Sequence, residues 1–349
     1  MTRRLPLFLA CLVLCGFGTC RQYLEANQAA KARAAEMKGE CAVLKSRVIT
    51  FEEEKAFGGA VGVRWVSEGG GLTTHADRQA LERQLNKIGR NLAAQSSRPR
   101  LPWVFGVLQS EGVNAVSGPG GYVFVSEGLL ARLDDEAQLA GVLAHEIAHI
   151  TRKHALNEYQ AFLVRECEEA AETEGLSAKT AFAGEVAVHA GRAVQDKAGD
   201  VVGGLFGSGG QWSQVLAQVA RSKVKSFNID EASEDIVRVL VSGFVDKLAD
   251  KGFQEADEFA ADLDAVELMA AAGYEPDAYV TFLGKLPSKG LSTPHPGKTE
   301  RQEKLRGHLQ DLRARAETSN FLSPGVLSST RVVPLRDELL TRRAGVASP

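Results

Sequence analysis

A pair of histidines with a glutamate between them is the part of this sequence best suited to chemistry. His145, Glu146 and His149 form the pattern His-Glu-x-x-His in an otherwise apolar stretch. On a helix, residues four apart lie on one face, about one turn from each other, so both imidazoles can bind one metal ion. The carboxylate of Glu146 then lies beside that ion and can act as a general base. This arrangement is typical of zinc-dependent hydrolases.

The third protein ligand that a catalytic zinc site needs has to come from elsewhere in the chain. Glu258 and Asp262 are also four residues apart, on one face of a helix predicted over residues 254–272. Glu258 can bind the metal, and Asp262 can accept a hydrogen bond from the outer nitrogen of a ligand histidine. Glu255 and Asp257 are neighbouring alternatives, and acidic pairs with this spacing are also common on solvated helix surfaces.

The elements that must position these residues are mostly helical. Leucines and isoleucine at helical spacing predict a helix over residues 77–95. Asp134 or Asp135, with Gln138 shortly after, predicts the start of the helix that carries the two histidines. Short apolar runs separated by Gly and Ser predict strands at 103–108, 113–116 and 122–125. The sequence therefore predicts an α+β, mainly helical fold, with a small sheet packed on the His-Glu-x-x-His helix.

Composition sets outer limits on function. The chain has 349 residues, 44% hydrophobic and 24% charged, which is enough to bury a core without disulfide support. Its net charge of −3 and lack of a basic tract indicate no nucleic-acid partner. No Cys-x-x-Cys pattern is present, so a metal must be held by His and carboxylates. Cys41 and Cys167 could pair in an oxidising compartment, although nothing in their spacing requires it.

The N-terminus has the pattern of an export signal. Two arginines precede an apolar stretch over residues 5–17, which is short for a membrane span and suitable for a signal peptide. Cys20 follows directly, so we predict a signal peptide over 1–19 and a lipid on Cys20. Ordinary cleavage, or an anchor that is never removed, is the alternative. Residues 20–46, rich in Ala, Glu, Lys and Arg, predict a helical tether.

The motifs resemble those of metallopeptidase family forty-eight, the CAAX prenyl protease, HtpX, BepA and LoiP type, from about residue 50 to 306. The similar segments are 113–116, 119–125, 128–130, 135–143, 152–154, 273–276 and 281–283, followed by His295-Pro296 and Arg301. Glu258 and Asp262 match the family's ExxAD motif, whose Glu is the third zinc ligand. Without a second apolar run of span length or a helical repeat region, the chain is most similar to the compact periplasmic lipoprotein branch.

The resemblance implies a gluzincin-type zinc endopeptidase with one Zn²⁺ on His145, His149 and Glu258. Glu146 would accept a proton from the attacking water, and polypeptides would be the substrates. The implied place is the bacterial cell envelope, on the periplasmic side, with the protein attached to a membrane through its N-terminal lipid or signal anchor. Exported or membrane-associated proteins would be cleaved there. Residues 47–310 would form the protease domain and 311–349 a loosely attached tail.

Several roles stay open at this stage. Either His295 or Arg301 could stabilise the oxyanion, and His295 could instead fill the fourth metal position and hold the enzyme inactive. His295 could also be a structural loop residue before Pro296. An extended peptide could add a strand along 113–118, which makes Asn114, Ala115 and Val116 the candidate substrate-binding residues.

The region 156–250 would be a helical second lobe or a lid. His154 is expected to pack or form hydrogen bonds rather than bind the metal, because it comes five residues after His149 and points off the metal face. The alternative function is a non-proteolytic chaperone or assembly factor on the same fold.

Overall fold

The structure is a computed structural model that describes residues 16–189, 244, 252–286 and 298–318. Its helices are α1 (Gly16–Ser46), α2 (Phe51–Glu68), α3 (Arg78–Ala94), α4 (Glu127–Leu130), α5 (Glu136–Thr151), α6 (His154–His189), α7 (Glu255–Ala271), α8 (Asp277–Lys285) and α9 (Lys298–Thr318). Its strands are β1 (Val104–Leu108), β2 (Ala115–Gly118) and β3 (Tyr122–Ser126). The chain divides into two compact units: Met1–Val48 with Tyr159–Glu231, and Ile49–Glu158 with Ala232–Pro349.

The first unit joins α1 to α6 covalently. A disulfide links Cys41 to Cys167, which closes a loop over a sequence separation of 126 residues. Nearby, the side-chain amide of Gln160 donates to the carbonyls of Leu44 and Arg47, at 2.7 and 2.8 Å. The helix predicted over 20–46 is therefore present as α1. Helix α1 belongs to the same compact unit as residues 159–189, which form most of the described part of the predicted lobe.

The second unit contains a three-stranded sheet in the order β1-β3-β2. Strands β1 and β3 are parallel, and β2 is antiparallel to β3, with Val116 opposite Phe124 and Gly118 opposite Tyr122. The sheet is thus present as predicted, but β2 begins two residues later than the apolar run at 113–116. Apolarity marks Val113, whereas the pairing with β3 extends through the less apolar Ser117 and Gly118.

Helix α2, which packs against β2, is absent from the sequence-based prediction. Its start carries a recognisable signal, because the Thr50 side chain accepts a hydrogen bond from the backbone N–H of Glu53 at 3.2 Å. Gly58, Gly59 and Gly62 lower the helix propensity of the same segment and obscure that signal. These glycines let the helix approach the sheet and its turn closely, so tertiary packing outweighs local propensity here.

Helix α5 passes through the main hydrophobic core, which it shares with α3, α7, α8, α9 and the sheet. Asp135 caps it by accepting a hydrogen bond from the backbone N–H of Gln138 at 2.8 Å, which confirms the predicted start. The Gln138 side chain in return accepts from the backbone N–H of Asp134 at 3.0 Å. All residues from 137 to 150 are buried, so α5 has no solvent-facing side over this length.

Helix α7 also matches its prediction over 254–272, and Gly273 ends it in a left-handed conformation with φ of 85°. Helix α9 continues to Thr318, past residue 310, where the sequence analysis begins the tail. Several predicted features lie outside the described residues: residues 1–15 of the signal peptide, 190–243 and 245–250 of the lobe, His295, and the tail from 319. Among the helices that the structure describes, none is both long and apolar enough to cross a membrane.

Candidate metal centre

Helices α5 and α7 pack against each other and bring three ligand side chains together. The Nε2 atoms of His145 and His149 lie 3.1 Å apart, and each lies 3.5 Å from a carboxylate oxygen of Glu258. All three residues are buried, and their ligand atoms lie within 4.8 Å of one another. Two imidazole nitrogens bound tetrahedrally to one zinc ion stand roughly 3.3 Å apart, because each Zn–N bond is about 2.0–2.1 Å. The donor types and spacing therefore fit a zinc ion.

Behind His145, a buried polar cluster holds the outer side of the imidazole. Oδ1 of Asp262 lies 3.0 Å from Nδ1 of His145. The Arg301 guanidinium donates to both Asp262 oxygens at 2.7 Å, and the Tyr279 hydroxyl donates to Oδ1 at 2.9 Å. Arg301 also donates to the Tyr279 oxygen at 3.0 Å. These contacts hold His145 with Nε2 towards Glu258.

The electrostatics of this cluster favour an ionised Asp262. Burial raises the pKa of the Asp262 carboxyl, but the hydrogen bonds and charge of Arg301 outweigh it and hold that pKa well below its usual range. Burial lowers the pKa of His145, yet the hydrogen bonds to Asp262 and Glu258 raise it overall to about 9. Burial and the Asp262 charge raise the pKa of Tyr279 well above 10, so its hydroxyl stays protonated. Asp262 is therefore a carboxylate acceptor for His145.

His149 is held on its outer side by two rings. Its Nδ1 lies 2.9 Å from Nδ1 of His154, and Phe253 stacks on its imidazole with ring centroids 4.3 Å apart. His154 lies there because α5 ends at Thr151 and the chain turns through Lys153, whose φ is 60°. The prediction that His154 forms a hydrogen bond is confirmed. Its partner, a metal-ligand candidate, did not follow from the sequence.

A small recess, with a volume of about 10 Å³, lies beside His149, between the end of β2 and the start of α6. It is lined by Glu54, Ser117, Gly118, Pro119, His149, Ile150, Lys153, Ala155 and Leu156. Glu54 is fixed there by two hydrogen bonds from Arg98, at 2.7 and 2.8 Å, and it accepts a third from the backbone N–H of Gly120. The edge of the sheet thus lies beside a metal-ligand candidate.

The predicted substrate-binding residues lie at that edge, but they face different ways. The backbone N–H of Asn114 donates to the Ser126 hydroxyl, and the Asn114 carbonyl accepts from the backbone N–H of Ser126, at 2.9 Å each. Along an antiparallel strand, successive residues direct their backbone N–H and C=O groups alternately towards the paired strand and away from it. Val116 therefore directs its groups towards β3, as Asn114 does. The outward groups at this edge belong to Ala115 and Ser117. Of the three residues predicted, Ala115 alone directs its backbone groups away from β3, and all four residues of β2 are buried in this structure.

The structure brings together six of the predicted site residues: His145, Glu146, His149, Glu258, Asp262 and Arg301. Arg301 is buried and engaged with Asp262, which separates it from the metal-facing side of His145. Cys20 lies near the start of α1. Of the acidic candidates on α7, Glu258 belongs to the group of possible metal ligands. Asp257 lies 3.5 Å from Nε2 of His154 instead.

Tyr279 and Phe253 are part of the site and were not singled out from the sequence. Tyr279 lies in α8, where apolar residues three and four positions apart mark it only as a core residue. Phe253 precedes α7, and its stacking on His149 depends on the turn at Gly252, whose φ is 64°. Neither residue has a motif that would have identified it in advance.

The chain is similar to several known proteases over short stretches. The beta-barrel assembly-enhancing proteases of Yersinia pestis and Escherichia coli (strain K12) are 36% and 34% identical over 74 residues, which is 21% of this chain and 15% of each relative. The mitochondrial metalloendopeptidase OMA1 of Schizosaccharomyces pombe (strain 972) is 38% identical over 71 residues, which is 20% of this chain and 21% of the relative.

The alignments thus span well under a third of each of these relatives. A far longer match comes from the sequence profile of Peptidase family M48, which covers residues 79–188 and 197–309 and so well over half of the chain. The two helices that carry the candidate metal ligands fall within the matched residues. The chain therefore belongs to Peptidase family M48.

Proposed function

We propose that this protein is a zinc-dependent endopeptidase. The observation that carries the proposal is the convergence of His145, His149 and Glu258, all buried, with Glu146 on the same helix between the two histidines. Zinc bound by these residues would lower the pKa of an attacking water and polarise the scissile carbonyl. Membership of a peptidase family supports the same reaction.

Glu146 is the residue proposed to move protons. Its carboxylate would accept a proton as the water attacks and would then deliver it to the leaving amine. Glu258 occupies a ligand position and Asp262 is already engaged by Arg301, so neither is available for this task. Burial of Glu146 limits its access to bulk solvent, which favours proton transfer with the substrate.

The edge of β2 is the proposed binding site for the substrate backbone. An extended peptide paired with Ala115 and Ser117 would gain main-chain hydrogen bonds without depending strongly on side-chain identity. It would run past the recess beside His149, whose walls include Ile150 and Leu156. Such a mode suits polypeptides that are locally unfolded, because a folded segment cannot present a free strand.

The proposed location is the periplasmic side of a bacterial envelope. The Cys41–Cys167 disulfide supports an oxidising compartment, since such bonds are rare in reducing ones. The basic and apolar leader before Cys20 supports export and lipid attachment. Two of the relatives are named for enhancing beta-barrel assembly, which supports exported or membrane-associated proteins as substrates and quality control as the role.

Comparison of the wild type with Glu146→Gln tests this function. We expect one zinc per chain in both proteins, and cleavage of casein that falls about 10²–10⁴-fold in the variant, as for loss of a general base. Glu136→Gln is the matched control, because it makes the same change at the start of the same helix, where Glu136 accepts a hydrogen bond from Tyr274. That control should cleave casein normally. A zinc-loaded wild type that does not cleave casein would refute the proposal in favour of a chaperone or assembly factor, whereas equal cleavage by Glu146→Gln and wild type would remove Glu146 from the mechanism.

A further inference from the structure

We infer that His154 is a positioning residue that fixes the tautomer and orientation of the metal ligand His149, with Asp257 as its own partner. The inference rests on the proposed metal site. It gives His149 a hydrogen-bond partner on its outer nitrogen, as Asp262 does for His145. The observations that carry it are four interatomic distances and one unusual backbone conformation.

The proton positions follow from which nitrogen faces the metal. Nε2 of His149 points to Nε2 of His145 and to Glu258, at 3.1 and 3.5 Å. A neutral imidazole that binds metal through Nε2 must carry its proton on Nδ1. That proton points at Nδ1 of His154, 2.9 Å away, so His154 accepts the hydrogen bond.

His154 can accept only if its own proton is on Nε2. That nitrogen lies 3.5 Å from Oδ1 of Asp257, a carboxylate in the first turn of α7. The polar groups therefore follow one another in the order Asp257, His154, His149 and the metal position, and the outermost distance, 3.5 Å, is longer than a normal hydrogen bond. A ligand histidine whose outer N–H is held in this way is better oriented and more basic towards the metal.

The backbone at Lys153 places His154 where it can do this. On an uninterrupted helix, five residues correspond to a rotation of about 140° away from His149. The left-handed conformation of Lys153, with φ of 60°, ends α5 and starts α6 in a new direction. A non-glycine residue in this region is uncommon and is retained when the surroundings require it.

Phe253 completes the enclosure of His149. Its ring stacks on the His149 imidazole at 4.3 Å, with an angle of 21° between the planes, and its centroid lies 5.8 Å from that of His154. His154 is itself buried, with an exposed fraction of 5%. Water therefore has little access to Nδ1 of His149, and loss of the His154 acceptor would leave that N–H poorly satisfied.

Three substitutions separate positioning from simple packing. His154→Leu removes the acceptor, His154→Asn places an oxygen near the position of Nδ1, and His154→Gln places one near the position of Nε2 instead. The control is His308→Leu, which removes a histidine that pairs with Glu267 on the surface. Zinc dissociation constants are measured by competition with a chelator, and absorption spectra are recorded for the cobalt-substituted proteins.

We expect His154→Leu to weaken zinc binding about 10–100-fold and to shift the cobalt spectrum. His154→Asn should recover most of the affinity, His154→Gln should recover less, and His308→Leu should match the wild type. Equal zinc affinity in wild type, His154→Leu and His154→Asn would overturn the inference.

If His154→Leu does not fold, the zinc affinities of His154→Asn and His154→Gln still test the inference, because both side chains are polar and they differ only in length. Equal affinities for those two would overturn the inference as well. A wild type that binds no zinc would instead refute the proposed function itself.

Discussion

Replacing Arg301 by methionine tests whether this residue holds the site together or touches the reacting atoms. The sequence offers it as a candidate oxyanion stabiliser, whereas the structure directs its guanidinium to both oxygens of Asp262 at 2.7 Å. An oxyanion donor would face the substrate. A positioning residue would act through Asp262 on His145, whose Nδ1 lies 3.0 Å from the Asp262 carboxylate.

The size of the effect follows from burial. Arg301 and Asp262 are 3% and 1% exposed, so removal of the guanidinium leaves a buried carboxylate without its main counter-charge. Breaking such a pair costs about 3–5 kcal/mol in free energy of unfolding. Because total stabilities are about 5–15 kcal/mol, the loss is a large fraction of the whole. Zinc affinity should also fall by roughly 10–100-fold, because His145 loses its fixed partner.

Urea unfolding of the protein after removal of zinc by a chelator measures the change in stability. Competition with a chelator measures the change in zinc affinity. Arg313→Met is the matched control on the same helix, because Arg313 pairs with Glu275 at the surface, where loss of a pair costs about 0–1 kcal/mol. Peptide hydrolysis at saturating zinc should recover much of the activity of Arg301→Met. If stability and zinc affinity are unchanged while kcat falls about 10²–10³-fold, Arg301 acts on the oxyanion and the positioning argument is refuted.

Three further changes test other parts of the structure by urea unfolding. Gly141→Ala should destabilise the protein despite the roughly 1 kcal/mol gain in helix propensity, because the added Cβ would lie 2.5 Å from Cβ of Tyr279; a more stable variant would contradict that packing. Lys153→Val should be less stable than Lys153→Gly by about 1–2 kcal/mol, since β-branched residues disfavour positive φ, and equal stabilities would argue against the left-handed turn. Replacing Cys41 and Cys167 by serine should lower stability by about 2–5 kcal/mol, and reductant should then have no further effect.

Local signals predicted the elements that carry the chemistry. The cap at Asp135 and the helical spacing around His145 and His149 depend on neighbours along the chain, and these features are confirmed in α5. Glu258 could be proposed as a ligand because its spacing to Asp262 is also a local property, although choosing it over Glu255 required the family resemblance.

Contacts between distant segments could not be predicted in this way. The approach of Tyr279 to Asp262 depends on how α8 packs against α5, where Gly141 allows close contact. The contact between His149 and His154 depends on a break between two helices that the sequence does not mark with Gly or Pro. In both cases tertiary packing decides the geometry, and residue type alone does not report it.

The burial of α5 on every side also limits how this helix can vary. A helix on a protein surface has a stripe, repeated about every 3.6 residues, where polar substitutions are nearly neutral. No such stripe exists between residues 137 and 150, because all of them are buried. In a library of single substitutions, this segment should therefore form one unbroken block of low tolerance. Residues such as Ala140, which takes no part in the chemistry, would be restricted as closely as the ligands beside them.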